Sequence, residues 1–323
     1  MMVRIEKSKY KDVDSIEIST SKLKAVFLPA FGGKMASFME KVSKIEYLTQ
    51  RGGSKYRVQP YGGNYLVGEG SGFDDMFPNI EQYYYDRFPW NGTLLPDHGE
   101  IWTLPASYEL TDNSIIFTIN GVKMPYVFCK KIYFNSETTI CIDYTVKNLS
   151  PFELDYLWAA HLMLDSEEGA RITVDPSFKT AFVTYCKSGR FGGYGARFNY
   201  PITTDIHGKS YDASIIRSRE ENEILKFYFL EKADTGLCML HYYKRERVFR
   251  LRFDKENVPY LALLNNEGGS AEDWDMDYYN FYFELCTAPF DRPDIARKHD
   301  KYSSLKPYET RQWTISMEID GIK

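Results

Sequence analysis

The sequence predicts an all-β protein: a large antiparallel sandwich with a few short helices. Three observations lead there. Aromatic residues make up 16% of the chain, with 26 Tyr and 21 Phe, more than a helical bundle uses and well suited to strands and ligand-lining surfaces. Apolar and polar residues alternate with period two in several segments. Gly-rich turn clusters recur at short intervals, and no long amphipathic helix interrupts them.

In chain order, the turns come first: "FGGK" at 31, "RGGS" at 51, "YGGN" at 61 and "GEGSG" at 68. A short helix is expected over 74–86. In "TTICIDYTVKN", Ile140, Ile142, Tyr144 and Val146 share one face while Cys141, Asp143, Thr145 and Lys147 share the other, the pattern of a half-buried strand. After "FGGYG" at 191, "RVFRLRFD" alternates Phe249, Leu251 and Phe253 with Arg250 and Arg252. "NNEGG" at 265 is a further turn, and a second short helix is expected over 292–304. The last strand sets Trp313, Ile315, Met317 and Ile319 against Gln312, Thr314, Ser316 and Glu318. With no linker and no internal repeat, residues 1–323 read as a single domain.

At 323 residues the chain is long enough for a large core. Its formal charge of −5 and pI near 5.7 argue against nucleic acid as a partner, which would call for a basic face. A small neutral substrate fits better. "MMVRIEKSKYKDVDS" has no apolar core of the kind a secretory signal needs, and no run approaches a membrane span, so the expectation is a cytoplasmic protein with no membrane partner. Cys129, Cys141, Cys186, Cys238 and Cys286 are odd in number and scattered, which predicts reduced, mostly buried thiols.

Three histidine-and-carboxylate positions carry the candidate chemistry. "LLPDHGEIW" places His98 between Asp97 and Gly99, where it could be a metal ligand, a proton carrier or a polar loop residue. His98 and Glu100 form H-x-E, but the C-x-x-C that completes a zinc deaminase site is missing, as is H-E-x-x-H. No metal is therefore expected, a surface calcium site on acidic loops being the one alternative. "GEGSGFDD" fits neither nucleotide-binding fingerprint and reads as a turn. His161, in "YLWAAHLML", sits among apolar neighbours. A satisfied core histidine is the bland reading, and a proton donor in an apolar wall the functional one. Glu284 interrupts the aromatic run of "YNFYFELC". Alternation puts it on the face of Tyr282, opposite Phe281, Phe283 and Leu285, as a solvent-facing residue or else as a general base with a raised pKa in an aromatic pocket. His207, His241 and His299 have polar surroundings and read as surface residues.

These segments resemble the aldose 1-epimerases, or galactose mutarotase-like proteins, over nearly the whole chain, as a divergent member. "LKAVFLPAFGGKMAS" is similar to the family's opening strand and Gly-Gly turn, "GFDDMFPNI" to a segment of its non-classical branch, and "PDHGEIW" to its first-histidine loop. "TTICIDYTVKNLSPFELDYLWAAHLML" resembles the strand, Asn-containing turn and second-histidine strand and is the most specific stretch. "FDKENVPYLALLNNEGG", "FELCTAPFDRPD" and "LKPYETRQWTISMEI" resemble the C-terminal strands. The resemblance implies a β-supersandwich and interconversion of the α and β anomers of a free sugar without a cofactor. It implies Glu284 as general base, His161 as general acid and His98 as the partner at the ring oxygen. The family's Asn-Arg pair before the first histidine has no counterpart here, where "GFDDMFPN" takes its place, so the sugar contacts do not carry over.

A carboxylate and an imidazolium facing each other across a sugar can remove the proton of the anomeric hydroxyl and deliver one to the ring oxygen. Sugars also pack their C–H faces on aromatic rings. This makes Trp102, Trp158 and Tyr260 candidate floor residues and Asp74, Asp75 and Asp254 candidate hydroxyl acceptors, core packing being an equal alternative for each. Two other readings compete. One is a non-catalytic carbohydrate-binding protein on the same scaffold. The other is an epimerase of a phosphorylated or sulfonated sugar, for which Lys187, Arg190 and Arg197 could supply a basic pocket.

Overall fold

A computed structural model describes residues 1–269 and 278–322. Two large antiparallel sheets dominate it. The first has eleven strands in the spatial order Arg4–Tyr10, Val13–Ser19, Leu23–Leu28, Lys34–Glu40, Phe73–Met76, Ala159–Asp165, Tyr279–Cys286, Tyr260–Glu267, Glu223–Phe229, Thr180–Cys186 and Arg197–Asn199. The second has eight: Arg171–Thr173, Leu237–Tyr242, Arg247–Phe253, Thr310–Gly321, Thr139–Asn148, Tyr126–Ser136, Ser114–Asn120 and Ser107–Leu110.

The alternation read from the sequence fixes which face of each strand turns inward. Ile140, Ile142, Tyr144 and Val146 pair in register with Met317, Ile315, Trp313 and Arg311, and the apolar members enter the inter-sheet core. Phe249, Leu251 and Phe253 join them from the neighbouring strand. Phe281, Phe283 and Leu285 meet this core from the first sheet. Each fully buried side chain of this size contributes about 1.5–3 kcal/mol, so a one-residue slip, which would turn the whole set outward, is strongly disfavoured.

The helix expected over 74–86 is not there. Phe73–Met76 is a strand of the large sheet, and Tyr83–Tyr84 pairs with Leu94–Leu95 as a small hairpin. Pro78 and Pro89 lie within and just beyond the segment and break any helix, while Asp74 and Asp75 go to opposite faces as strand geometry requires. The second expected helix is shorter than its range: Pro293–Lys298, with Pro at its first turn. All five cysteines are free, three buried and two partly so. His207 and His299 are exposed, whereas His241 is half-buried. No helix among the described residues is long and apolar enough to cross a membrane.

What positions the site is the outer face of the eleven-stranded sheet. Residues that alternate away from the core there, Met163, Tyr228, Ala262, Tyr282 and Cys286, form a second apolar cluster with Tyr65, Ile80, Trp102 and Phe290 from the covering loops. The face is roofed, so a polar residue on it can be buried without entering the sandwich.

Candidate active site

Glu284 projects from this outer face and is 1% exposed. The solvent-facing alternative is thereby corrected: alternation assigned the face properly, but loops cover it. Glu284 and His161 come from adjacent strands, and His161 Nε2 stands 3.9 Å from Glu284 Oε1. His161 lies opposite Asp74 in the register of the next strand. Glu284 and His161 line a pocket of about 260 Å³ together with Tyr65, Ile80, Glu81, Asp97, His98, Lys226, Tyr278, Tyr282 and Asp291, close to the small end of ligand sites. The structure thus brings together the three residues singled out as catalytic.

A chain of hydrogen bonds behind His161 sets its proton. Lys34 Nζ donates to Asp74 Oδ2 at 2.8 Å, and Tyr65 Oη donates to the same oxygen at 2.9 Å. The one phenolic proton is then committed to Asp74. At the other end Tyr65 Oη lies 2.9 Å from His161 Nδ1, so Nδ1 must carry the proton of that bond and the phenol oxygen accept it. Neutral His161 therefore turns a bare Nε2 toward Glu284 and the pocket, the arrangement in which a second ring partner fixes the tautomer of a working histidine. Burial, together with His98 and the Lys226 and Lys34 ammonium groups nearby, pushes His161 well below the ordinary imidazole range.

His98 reaches the pocket from a loop with two consecutive left-handed residues, His98 at φ 60° and Gly99 at φ 73°. A Cβ on Gly99 would fall 2.4 Å from the carbonyl oxygen of Phe77, so only glycine allows this approach. Glu100 anchors the loop from behind, accepting from Tyr61 Oη at 2.6 Å and Lys123 N at 2.7 Å. The H-x-E pattern is thus a catalytic candidate followed by a structural anchor. The His98 ring stacks on Tyr65, with centroids 4.0 Å apart and planes at 4°. Its Nδ1 lies 2.8 Å from Asp97 Oδ2, close enough for charge pairing but not aligned as a hydrogen bond.

Lys226 was not anticipated from the sequence. Its Nζ is 3.0 Å from Glu284 Oε2 and 2.8 Å from Asp291 Oδ1, and Tyr228 Oη donates to that same Asp291 oxygen at 2.7 Å. Burial raises the Glu284 pKa, and the Lys226 ammonium opposes the rise. Reciprocally, Asp291 and Glu284 hold Lys226 charged, above the ordinary lysine value despite its burial. Tyr65, Lys226 and Asp291 complete the site.

The residues proposed as sugar contacts mostly serve elsewhere. Asp74 is spent on Lys34 and Tyr65. Asp75 points into the sandwich, where it pairs with Lys130 at 2.6 Å and accepts from Trp158 Nε1 at 3.0 Å. Trp158 is correspondingly a core residue, packed 5.2 Å from Trp313. Trp102 lies behind Tyr65, with ring centroids 5.0 Å apart, and donates to the carbonyl of Asp97. It buttresses the His98 loop. Tyr260 is buried in the outer-face cluster, off the pocket lining. Asp254 closes a turn, accepting from Glu256 N and Asn257 Nδ2. Asp74 thus acts through Tyr65 on His161, and the other five serve packing or turn geometry.

A search by structure agrees with this architecture. A proposed aldose 1-epimerase from Klebsiella pneumoniae superposes with a TM-score of 0.71 over 98% of this chain and 83% of its own, at 16% identity. A galactose mutarotase-like protein from Clostridium acetobutylicum gives 0.66 over 99% of each chain at 12% identity. One from Lactobacillus casei gives 0.61 over 95% of this chain and all of its own, at 14%. The fold is galactose mutarotase-like. No family model matches the sequence, and no curated protein matches it. On this galactose mutarotase-like fold the pocket lies on the outer face of the larger sheet, and its chemistry has to be argued from its own residues.

Proposed function

We propose that the pocket opens and recloses the ring of a free, uncharged aldose and so interconverts its α and β anomers, the reaction of an aldose 1-epimerase. The observation that carries this reading is the pairing of Glu284 with His161 Nε2 across 3.9 Å in a buried pocket, with His98 at its edge. Glu284 accepts the proton of the anomeric hydroxyl, His161 Nε2 delivers one to the ring oxygen, and His98 shares the hydrogen bonding there. The open aldehyde rotates about its C1–C2 bond, and the same two groups reverse roles as the ring closes. A site for binding alone would gain nothing from burying an acid and a base in partial contact, at the cost of desolvating both.

Charge favours a neutral sugar. Among the described residues four carboxylates line the pocket, Glu81, Asp97, Glu284 and Asp291, and Lys226 is the one lysine or arginine. That lysine is already shared by two carboxylates. The rival basic cluster lies apart from the pocket: Arg190 pairs with Glu221 and Glu223, Lys187 bonds Asn222, and Arg197 lies over Phe182. A phosphorylated or sulfonated sugar thus finds no unpaired lysine or arginine among the described lining residues.

The test is anomer exchange followed by NMR across free hexoses, pentoses, sugar phosphates and sulfosugars, with Glu284→Gln as control. A free sugar should exchange well above the buffer rate, and Glu284→Gln should lower kcat by about 10²- to 10⁴-fold. Wild-type protein that binds a sugar without exceeding the blank would transfer the assignment to carbohydrate binding.

A further inference from the structure

The alternation that buries Glu284 also buries a lysine beside it, on a strand one removed in the sheet. Lys226 occupies the register position opposite Leu264, which in turn pairs with Tyr282, two residues from Glu284. The ammonium lies between two carboxylates, and the second of these is fixed independently. Tyr228 donates to the Asp291 side chain, and the Asp291 carbonyl accepts from Ile80 N at 3.0 Å and Glu81 N at 2.9 Å.

We propose that Lys226 is a positioning residue for the single proton that Glu284 and His161 share: contact with Glu284 Oε2 keeps negative charge on that carboxyl and leaves the proton on His161 Nε2. This rests on the anomerisation reading and deepens it. The states with a neutral carboxylic acid beside neutral imidazole, and with carboxylate beside imidazolium, hold the same number of protons. Only the second has the base and the acid in the roles the reaction assigns. Burial disfavours charge on both groups, so something must select the charged form. With the proton on His161, Asp291, Lys226, Glu284 and His161 form a row of alternating sign. Lys226 disfavours charge on His161 as well as favouring it on Glu284, but it touches Oε2 while His161 faces the far oxygen, Oε1, so the carboxylate gains more than the imidazolium loses and lies between two cations. A lysine held as ammonium also cannot attack the open-chain aldehyde, which is left free to reclose.

Among the described residues the groups facing Glu284 come from three strands and two loops. Lys226 and Tyr228 come from one strand, His161 from another, Asp291 and His98 from loops, and Tyr282 and Cys286 from its own strand. Asp291 opposes Lys226 in its effect on Glu284, raising its pKa where Lys226 lowers it. This gives a pair of variants with opposite expectations.

The experiment compares Lys226→Met, Lys226→Arg and Asp291→Asn with wild type by the pH profile of anomerisation on the best free sugar, and by NMR of protein labelled with ¹⁵N-histidine and ¹³Cδ-glutamate. His161 and Glu284 are assigned from His161→Asn and Glu284→Gln. Lys226→Met should move the acidic limb to higher pH by on the order of one pH unit, the usual effect of losing an opposite charge in contact, and lower kcat at least tenfold at the wild-type optimum. Its His161 signal should shift toward the neutral Nδ1–H form. Lys226→Arg should restore both, and Asp291→Asn should move the limb the other way. If Glu284→Gln is inactive but Lys226→Met keeps the wild-type pH profile and His161 signal, the proposal fails while the anomerisation reading stands. If no sugar is turned over, that reading fails, and the NMR titration of Glu284 and His161 in wild type and Lys226→Met still decides the role of Lys226. A purely structural lysine would lower the thermal midpoint of Lys226→Met without the opposed shifts in the two variants.

Discussion

Tyr65→Phe should lower the rate of anomerisation while leaving the pocket's shape intact. The substitution deletes one oxygen and keeps the ring, so the stack on His98 at 4.0 Å and the edge contact with Trp102 at 5.0 Å persist. Two hydrogen bonds disappear, the 2.9 Å bond from His161 Nδ1 and the 2.9 Å bond to Asp74. Asp74 retains Lys34 at 2.8 Å, so the larger effect falls on His161, whose Nδ1–H is left buried without an acceptor. Such a group costs about 1–3 kcal/mol. The neutral ring can escape part of that cost by moving its proton to Nε2, but the imidazolium that donates to the ring oxygen cannot, and it loses the acceptor that steadies its Nδ1–H. A loss of this size corresponds to a fall in kcat of roughly 5- to 150-fold, with the Michaelis constant little changed because no sugar contact is removed. Polarimetric anomerisation across pH, with thermal unfolding as the check on folding, measures both quantities. A folded Tyr65→Phe protein with wild-type kcat at every pH would refute the claim that Asp74 and Tyr65 fix the His161 tautomer.

His161→Asn should lower kcat by about 10²- to 10⁴-fold through loss of the proton donor, whereas His98→Asn keeps some hydrogen bonding and should lower it on the order of tenfold, the size of one hydrogen bond. Equal losses in the two variants would contradict the assigned roles. Arg190→Gln, which removes a cation outside the pocket lining without adding repulsion beside Glu221 and Glu223, should change kcat/KM for a neutral sugar by no more than about twofold, the scale of a surface effect; selective loss of activity on a sugar phosphate would favour the rival substrate class. Glu267 is buried, and burial lifts its pKa from 4.5 to about 7. Between those values the folded state binds more protons than the unfolded one, so stability falls as pH rises through that window, by up to roughly 3 kcal/mol. Glu267→Gln should therefore be more stable than wild type at pH 8 and nearly equal to it at pH 4.5. Urea unfolding at both values tests this, and a pH-independent difference would contradict it.

Much of the fold was legible because period-two alternation is a local property. Ile140 to Val146, Phe249 to Phe253 and Trp313 to Ile319 all show it, and each enters the core as read. The segment 74–86 was misjudged for a related reason. Its paired aspartates and its prolines admit no helix, but a four-residue strand is too short to display a period. Turn-rich spacing gave the architecture, while the pairing of Phe73–Met76 with Ala159–Asp165 is a long-range contact that no local pattern encodes.

The site was legible only where an odd residue broke a local pattern. Glu284 was noticed because a carboxylate interrupted an aromatic run, and its face was assigned correctly. What alternation does not state is whether that face meets water or a roof of loops, and hence whether a polar residue there is exposed or buried and reactive. Lys226 carries the same signal in "EILKFYFL", a charge interrupting apolar residues two strands away in the sheet. Asp74 and Asp75 show the converse. Adjacent in sequence and alike in chemistry, they are separated by the pleat into different environments, Asp74 holding the Tyr65 proton beside the pocket and Asp75 an ion pair inside the sandwich. The face on which a strand residue lies is written in the sequence, whereas the partner it meets there is a property of the assembled sheet, and the partner decides whether a buried charge supports the fold or the chemistry.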